Sequence, residues 1–158
     1  MSITISPAAP DDVPTILALI RELAAYEKLL DRVSASEDSL RRDLFGPRTF
    51  VEVLIGRLDG EAAGYALFFH SYSTFLAMPG IYLEDVFVKP AARGKGVGKA
   101  LLRAVARAAR DRGCGRMEWS VLNWNTPAIE FYESLGAVPH EGWTTYRMDE
   151  AAISALAQ

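Results

Sequence analysis

The stretch "VFVKPAARGKGVGKALL", from Val86 to Leu102, constrains the fold of this chain more than any other. Strand-like residues meet a proline, glycines follow at positions 94, 96 and 98, and a helical pattern begins. Glycines at a strand-to-helix junction let backbone N–H groups approach a ligand closely, and the start of the helix adds partial positive charge. The stretch therefore predicts an anion site, of the kind that most often binds phosphate.

Two common phosphate-binding patterns do not match this turn. In the dinucleotide pattern G-x-G-x-x-G, Gly94 and Gly96 fit but Lys99 stands at the last position. In the triphosphate pattern G-x-x-x-x-G-K-[ST], Arg93 replaces the first glycine and Ala100 follows the lysine. The pattern that does match is R-x-x-G-x-G. A glycine-rich connector without a ligand is the alternative interpretation.

Hydrophobic periodicity predicts alternating strands and helices along the rest of the chain. The predicted strands are "SITIS", the hairpin "TFVEVLIGRL" and "EAAGYALFFHSY" around Asp59-Gly60, "IYLEDVFVK", "RMEWSVL" and "WTTYRMD". The predicted helices run from Asp11-Asp12 to about Leu30, over "SASEDSLRRDLF", from Val97 to Arg112 and over "NTPAIEFYESLGA". We expect a mixed α/β fold with helices on both faces of one sheet, and 158 residues suit a single domain.

Charge and composition exclude several classes of function. A formal net charge of −3 gives no general attraction to nucleic acid or to an anionic membrane surface. The basic stripe Lys99, Arg103, Arg107 and Arg110 is typical of the solvated face of an amphipathic helix. No stretch approaches the roughly 18 apolar residues of a membrane span, and the N-terminus lacks the pattern of a secretion signal.

Cysteine and histidine positions predict neither a disulfide nor a metal site. The single cysteine, Cys114, has no internal partner, which suits a reducing cytoplasm, and we interpret it as a small residue in a turn rather than a nucleophile. His70 and His140 lack the spacing of metal ligands.

The R-x-x-G-x-G pattern of Arg93, Gly96 and Gly98 resembles the pyrophosphate-binding signature of the GNAT superfamily of acetyl-CoA-dependent N-acetyltransferases. The segments "YLEDVFV", "NWNTPAIEFYESLGA", "IRELAAYEK" and "EGWTTYRMD" resemble the spermidine/spermine, or diamine, N-acetyltransferase branch. The resemblance spans essentially the whole chain. It implies one GNAT domain over residues 1–158, with a mostly antiparallel central sheet of about seven strands and helices on both faces.

The resemblance implies acetyl-CoA as the cofactor. Its pyrophosphate would lie on the backbone amides of the turn, which comprises Arg93, Gly94, Lys95, Gly96, Val97, Gly98 and Lys99. The main chain of Val86, Phe87 and Val88 would pair with the pantetheine arm as an added strand does. Asn125 matches a residue that contacts pantetheine. The alternative for Asn125 is the N-cap of the helix that follows.

The same resemblance implies three catalytic or anchoring residues. Tyr132 would protonate the departing thiolate, and a packed aromatic side chain is the alternative interpretation. Glu84 would accept the proton of the amine, directly or through water, and Asp85 would hold the cationic substrate. Adjacent strand residues point to opposite faces unless a bulge intervenes, and a buried carboxylate needs a partner. An ion pair with a core arginine, or a loop cap, is therefore the alternative for both.

The resemblance also implies an amine channel, bordered by Tyr26, Glu27, Glu141 and Trp143. An acidic channel with aromatic walls suits a cationic amine, although each of these residues alone is consistent with a solvated or packing role. The loop "SYSTFLAMPG" departs from polyamine-specific members, which carry an acidic residue and a tryptophan where this chain has Thr74, Phe75 and Leu76. The departure favours a smaller amine or a thialysine-like amino acid.

We therefore expect a cytoplasmic, homodimeric enzyme that transfers acetyl directly to a primary amine of a small molecule in a ternary complex. The alternatives are acetylation of a protein or peptide amine, and a non-catalytic acyl-CoA-binding sensor. A sensor would not need Glu84 or Tyr132.

Overall fold

The computed structural model describes all 158 residues, which form two compact units, Met1–Ser120 and Val121–Gln158. The first unit contains β1 (Ile3–Pro7), α1 (Val13–Tyr26), α2 (Glu37–Phe45), β2 (Glu52–Leu58), β3 (Glu61–Ser73), β4 (Met78–Val88), α3 (Val97–Asp111) and β5 (Met117–Glu118). The second contains α4 (Thr126–Ser134) and α5 (Glu150–Leu156). No helix has the length and apolar character that crossing a membrane requires.

The first unit is built on a five-stranded sheet in the order β1-β2-β3-β4-β5. The first four strands are antiparallel neighbours, and β5 runs parallel to β4. The predicted hairpin between β2 and β3 is confirmed, with its turn at Asp59-Gly60. Strand β5 pairs with β4 only at Ile81 and Tyr82, so the rest of that edge of β4 has no neighbouring strand.

Helices pack on both faces of this sheet, as predicted. On one face, α1 buries Ile16 and Leu19 in a cluster that includes Ile55 and Tyr65 of the sheet. The full burial of a side chain such as Ile16 contributes roughly 1.5–3 kcal/mol. On the other face, α3 lies so close to β2 that a Cβ atom at Gly56 would lie 3.0 Å from Cγ1 of Val97. Successive residues of a strand thus pack against helices on opposite faces of the sheet.

The prediction of about seven strands was wrong. Only Met117 and Glu118 of "RMEWSVL" are in a strand, and "WTTYRMD" has no regular secondary structure. Every residue of "WTTYRMD" is exposed and none pairs with a strand, so its alternating pattern alone does not form one. Helix α5 is not among the predicted elements. The side chain of Asp149 caps it by accepting a hydrogen bond from Ala152 N at 2.9 Å.

The segment predicted as a loop before "IYLEDVFVK" is mostly strand. Strand β3 continues to Ser73 and β4 begins at Met78, which leaves a tip of four residues, 74–77. At ~3.3 Å per residue, this tip lies about 20 Å along β4 from Glu84. Thr74, Phe75 and Leu76 are therefore far from the carboxylates described below.

Candidate active site

A β-bulge places Glu84 and Asp85 side by side on β4. Leu67 of β3 pairs with Asp85 and Phe68 pairs with Leu83, so Glu84 is the extra residue with no partner on β3. A bulge bends its strand and redirects side chains. The strict alternation of a regular strand therefore does not separate these two carboxylates.

Asp85 accepts a hydrogen bond from a buried tyrosine. The hydroxyl of Tyr65 on β3 donates to Oδ2 of Asp85 at 2.9 Å, and Tyr65 is 0% exposed. Burial raises the pKa of the Asp85 carboxyl and nearby Glu84 raises it further, whereas the hydrogen bond from Tyr65 acts to lower that pKa. Burial, followed by the charge of Asp85, raises the pKa of the Tyr65 hydroxyl far above its ordinary value, so this hydroxyl is a donor at neutral pH.

Glu27 adds a third carboxylate to this cluster from the residue that follows α1. Partial burial raises the pKa of the Glu27 carboxyl, and the charge of Asp85 raises it further. The ion pairs of the structure involve other carboxylates, and no arginine pairs with Glu27, Glu84 or Asp85. The alternative of an ion pair with a core arginine is therefore not observed, and the three carboxylates form an acidic cluster. We call Glu27, Glu84 and Asp85 the acidic cluster.

An aromatic wall with a single guanidinium lies beside the acidic cluster. The guanidinium of Arg93 lies 4.7 Å from the ring centre of Tyr26 and 5.7 Å from that of Phe87. Arg93 Nε also donates to the carbonyl oxygen of Val88 at 3.0 Å. Tyr26, Glu27, Glu84, Asp85, Phe87 and Arg93, all predicted from sequence, thus lie in one region of the first unit.

The main chain of β4 beyond the bulge is available to an extended ligand. The amide of Lys89 donates to the carbonyl oxygen of Ala63 on β3 at 2.8 Å. Because successive residues of an antiparallel strand direct their main chain to opposite sides, that of Val86 and Val88 points away from β3. That side is the edge that β5 leaves uncovered. It is the place where the resemblance puts the pantetheine arm.

The glycine turn has the geometry of an anion site. Gly94 and Gly96 adopt positive φ angles of 74° and 93°, and Gly96 is the N-cap of α3. The first backbone hydrogen bond of the helix runs from Ala100 to Gly96 at 3.0 Å, so the amides of Val97, Gly98 and Lys99 have no acceptor within the helix. A Cβ atom at Gly94 would meet nothing within 4 Å. These residues fit a phosphate-bearing cofactor.

The four remaining predicted residues lie in the second unit. Asn125 is buried and its Oδ1 accepts from Ala128 N at 3.3 Å, so it caps α4 as the alternative interpretation expected. Tyr132 is half-buried on α4, with its ring centre 5.8 Å from that of Phe131. Glu141 and Trp143 are exposed in the segment that follows α4.

Sequence reasoning missed Tyr65. The feature that could have indicated its role is a tyrosine between Gly64 and Ala66 in an otherwise apolar strand. A tyrosine hydroxyl buried in such a strand needs a hydrogen-bond partner. The partner, Asp85, comes from the next strand and is therefore visible only in the folded chain.

The sequence profile of the "Acetyltransferase (GNAT) family" matches residues 18–137, well over half of the chain. The chain belongs to this family. It is 42% identical to the thialysine N-epsilon-acetyltransferase of Bos taurus, over 98% of the chain and 97% of that protein. It is 34% identical to the L-ornithine N5-acetyltransferase of Arabidopsis thaliana, over 94% of the chain and 85% of that protein.

The fold has a close counterpart among solved structures. An integron cassette protein from the mobile metagenome of V. cholerae superposes with a TM-score of 0.83 at 27% identity, over 100% of this chain and 99% of the other. The resemblance to the GNAT superfamily and its diamine acetyltransferase branch is confirmed. The protein is an acetyl-CoA-dependent N-acetyltransferase that acts on a small-molecule amine.

Proposed function

We propose that this acetyltransferase modifies the terminal primary amine of a small cationic molecule, either a diamine or a basic amino acid of the thialysine or ornithine type. The acidic cluster carries this proposal, because it brings three carboxylates together without an arginine partner. A terminal ammonium group would supply positive charge to this cluster. Relatives named for thialysine and ornithine support the same class of substrate.

The proposed chemistry begins with a proton. An alkylammonium has a pKa of about 10 in water and must lose a proton before it can attack a thioester. Glu84, the unpaired residue of the bulge, accepts this proton, directly or through one water molecule. Asp85 and Glu27 anchor the cationic part of the substrate, and Tyr26 forms an aromatic wall of its channel. Glu141 and Trp143 complete the channel in this proposal.

Acetyl-CoA supplies the acetyl group as a thioester. The amides from Arg93 to Lys99 bind its pyrophosphate, and the main chain of Val86 and Val88 pairs with its pantetheine arm. A peptide N–H of the same strand polarises the thioester carbonyl. Asn125 contacts the pantetheine arm while it caps α4, and Tyr132 donates a proton to the departing sulfur.

We further propose that residues 1–158 act as a single catalytic domain, in a cytoplasmic homodimer. The unpaired Cys114 is consistent with a reducing compartment. Three large side chains of the second unit, Val138, Trp143 and Tyr146, are 83%, 77% and 93% exposed in the single chain. Exposed apolar groups of this kind favour burial against a second copy. Mass determination in solution tests the dimer, and a monomer at micromolar concentration would contradict it.

Thiol release from acetyl-CoA with a panel of amines tests the proposed function. The panel contains thialysine, ornithine, diaminopropane, spermidine and a lysine peptide. We expect the highest kcat/KM with the small diamine or the basic amino acids. Preference for the peptide would contradict the proposed substrate class. A rise in Tm with acetyl-CoA but no thiol release with any amine would favour the sensor.

A pair of glutamine variants separates the proposed base from general charge effects. Glu84→Gln is expected to lower kcat by about 10²-fold or more, because glutamine cannot accept a proton. Glu61→Gln removes an exposed glutamate from the start of β3 and should leave kcat unchanged. Equal kcat values for the two variants would remove Glu84 from the mechanism.

A further inference from the structure

Tyr65 has a polar group that packing does not require. Its ring lies in the core cluster beneath α1, between two small residues of β3, Gly64 and Ala66. Phenylalanine would fill the same space. Burying the extra hydroxyl is costly unless it forms a hydrogen bond, and the bond observed is to Oδ2 of Asp85 at 2.9 Å.

Burial and two neighbouring carboxylates disfavour the ionised form of Asp85, whereas the hydrogen bond from Tyr65 favours it. Burial disfavours its charge, and Glu84 repels it along β4. Glu27, after α1, interacts unfavourably with it as well. The guanidinium of Arg93 lies over the rings of Tyr26 and Phe87 and forms no ion pair with a carboxylate. The hydroxyl of Tyr65 is the hydrogen-bond donor that acts against these unfavourable effects on Asp85.

We propose that Tyr65 is a positioning residue that keeps Asp85 ionised and oriented as the anchor of the cationic amine. This inference rests on the proposed function. Tyr65 does not touch the substrate; it binds one oxygen of Asp85 and leaves the other to the ammonium group. A hydrogen bond to a charged acceptor stabilises that charged form. Without the hydroxyl, the carboxyl group of Asp85 takes up a proton at a higher pH in its partly buried, acidic surroundings, and the protonated group no longer attracts a cation.

The variant Tyr65→Phe tests this role because the ring, and therefore the packing, is kept. Below the pKa of Asp85 in the parent, we expect the KM for the amine to rise about tenfold, because a shift of about one unit in that pKa lowers the ionised fraction of Asp85 tenfold there. The KM for acetyl-CoA and the Tm should change little. The ratio of variant to parent KM should approach one near pH 9, where Asp85 is ionised in both proteins. Because variant and parent are compared at the same pH, the titration of the amine changes both KM values equally and does not affect their ratio.

Tyr82→Phe is the matched control. It also removes one hydrogen bond of a tyrosine hydroxyl in the sheet, since the hydroxyl oxygens of Tyr82 and Ser120 lie 3.0 Å apart, but the partner is a serine and not a carboxylate. We expect Tyr82→Phe to leave the KM for the amine unchanged at every pH. A KM that rises equally in both variants, or that rises without pH dependence in Tyr65→Phe, would overturn the proposal.

A measurement without substrate separates this proposal from the proposed function. In protein labelled with ¹³C at the aspartate carboxyls, the Asp85 signal is identified by its loss in Asp85→Asn. We expect this signal to titrate about one pH unit higher in Tyr65→Phe than in the parent. An unchanged titration would overturn the role of Tyr65 even if amines are acetylated. A shifted titration in an enzyme that acetylates no amine of the panel would refute the substrate assignment alone.

Discussion

Glu27, directly after α1, lies close enough to Asp85 on β4 for the charge of Asp85 to raise the pKa of the Glu27 carboxyl, in addition to the larger effect of burial. Two carboxylates from distant parts of the sequence thus lie in one region and repel each other. A bound ammonium group would relieve this repulsion, so substrate binding should depend on the protonation of Glu27.

The first prediction concerns this dependence. Because the pKa of Glu27 is raised, its charge is lost at a higher pH than that of an ordinary glutamate as the solution is acidified. In the parent enzyme the KM for the amine should therefore rise as pH falls from 7 towards 5. Glu27→Gln should raise the KM roughly two- to fivefold at pH 7, in line with about 0.5–1 kcal/mol for a partly exposed charge pair. The Glu27→Gln substitution should also weaken the rise in the KM for the amine at low pH.

Glu22→Gln is the control for Glu27, since Glu22 is an exposed glutamate of the same helix. Its pH profile should match that of the parent. A steep rise in KM at low pH that persists in Glu27→Gln would assign the titration to another group.

The second prediction concerns Tyr132 on α4. If it protonates the departing thiolate, Tyr132→Phe should lower kcat by about 10²-fold while the Kd for acetyl-CoA stays within twofold. Stopped-flow thiol release and calorimetric binding measure the two quantities. Tyr72→Phe, which alters a tyrosine that is 61% exposed, is the comparison and should retain full activity. An unchanged kcat in Tyr132→Phe would reduce Tyr132 to a packing residue.

The third prediction separates backbone strain from cofactor binding at Gly96. Gly96 and Gly60 have similar positive φ angles of 93° and 87°, and a Cβ atom would come no closer than 3.6 Å to another group at Gly96 and would meet none within 4 Å at Gly60. Alanine at either position should lower the free energy of unfolding by about 1–2 kcal/mol. Only Gly96→Ala should also weaken acetyl-CoA binding, because Gly96 shapes the turn that we propose binds the pyrophosphate.

Chemical denaturation and calorimetric titration with acetyl-CoA measure these two effects. Equal losses of affinity in Gly96→Ala and Gly60→Ala would indicate a general loss of folded protein. An unchanged affinity in Gly96→Ala would remove the turn from the cofactor site.

The fourth prediction concerns a pair of charges away from the site. Arg112 Nη1 and Nη2 donate to the two carboxylate oxygens of Glu52 at 2.7 and 2.8 Å. The hydrogen bond from Arg112 holds the pKa of Glu52 below its usual value. A carboxyl whose pKa is lowered by folding stabilises the fold above its unfolded pKa of about 4.3, and this stabilisation disappears as pH falls through the folded value.

Glu52→Gln should therefore lower the free energy of unfolding by roughly 0.5–1 kcal/mol at pH 7, since both side chains are partly exposed. The difference from the parent should disappear as pH falls through the folded pKa of Glu52, where the pair loses its charge. Glu37→Gln, which removes the longer 3.5 Å pair with Arg41, should cost less than about 0.5 kcal/mol. A loss in Glu52→Gln that is independent of pH would point to packing rather than charge.

Much of the site could be predicted from local patterns. The spacing of Arg93, Gly96 and Gly98 after an apolar strand predicts a turn that exposes helix amides, and the structure has that turn. The caps of α2 and α4 by Ser36 and Asn125 likewise follow from short-range hydrogen bonds to Ser39 and Ala128. Contacts between residues no more than three positions apart depend on the local sequence and can be predicted from it.

Other features depend on residues that are far apart in sequence. Alternation in "WTTYRMD" predicts a strand, but a strand forms only when another strand satisfies its backbone, and none pairs with it. The small-residue segment before β4 suggests a loop, yet pairing between β3 and β4 extends to Ser73 and Met78. In both cases strand pairing decided the outcome, and local propensity did not.

The sequence alone determined the phosphate turn, the amphipathic helix behind it and the two adjacent carboxylates on one strand. Only the tertiary structure decided what those carboxylates face. The bulge at Glu84 arises from the register between β3 and β4, and the hydroxyl of Tyr65 reaches Asp85 across that register. Local hydrogen bonds and periodicity act within a few residues and can be read along the chain. The pKa of a partly buried carboxylate such as Asp85 depends on neighbours that only folding brings together.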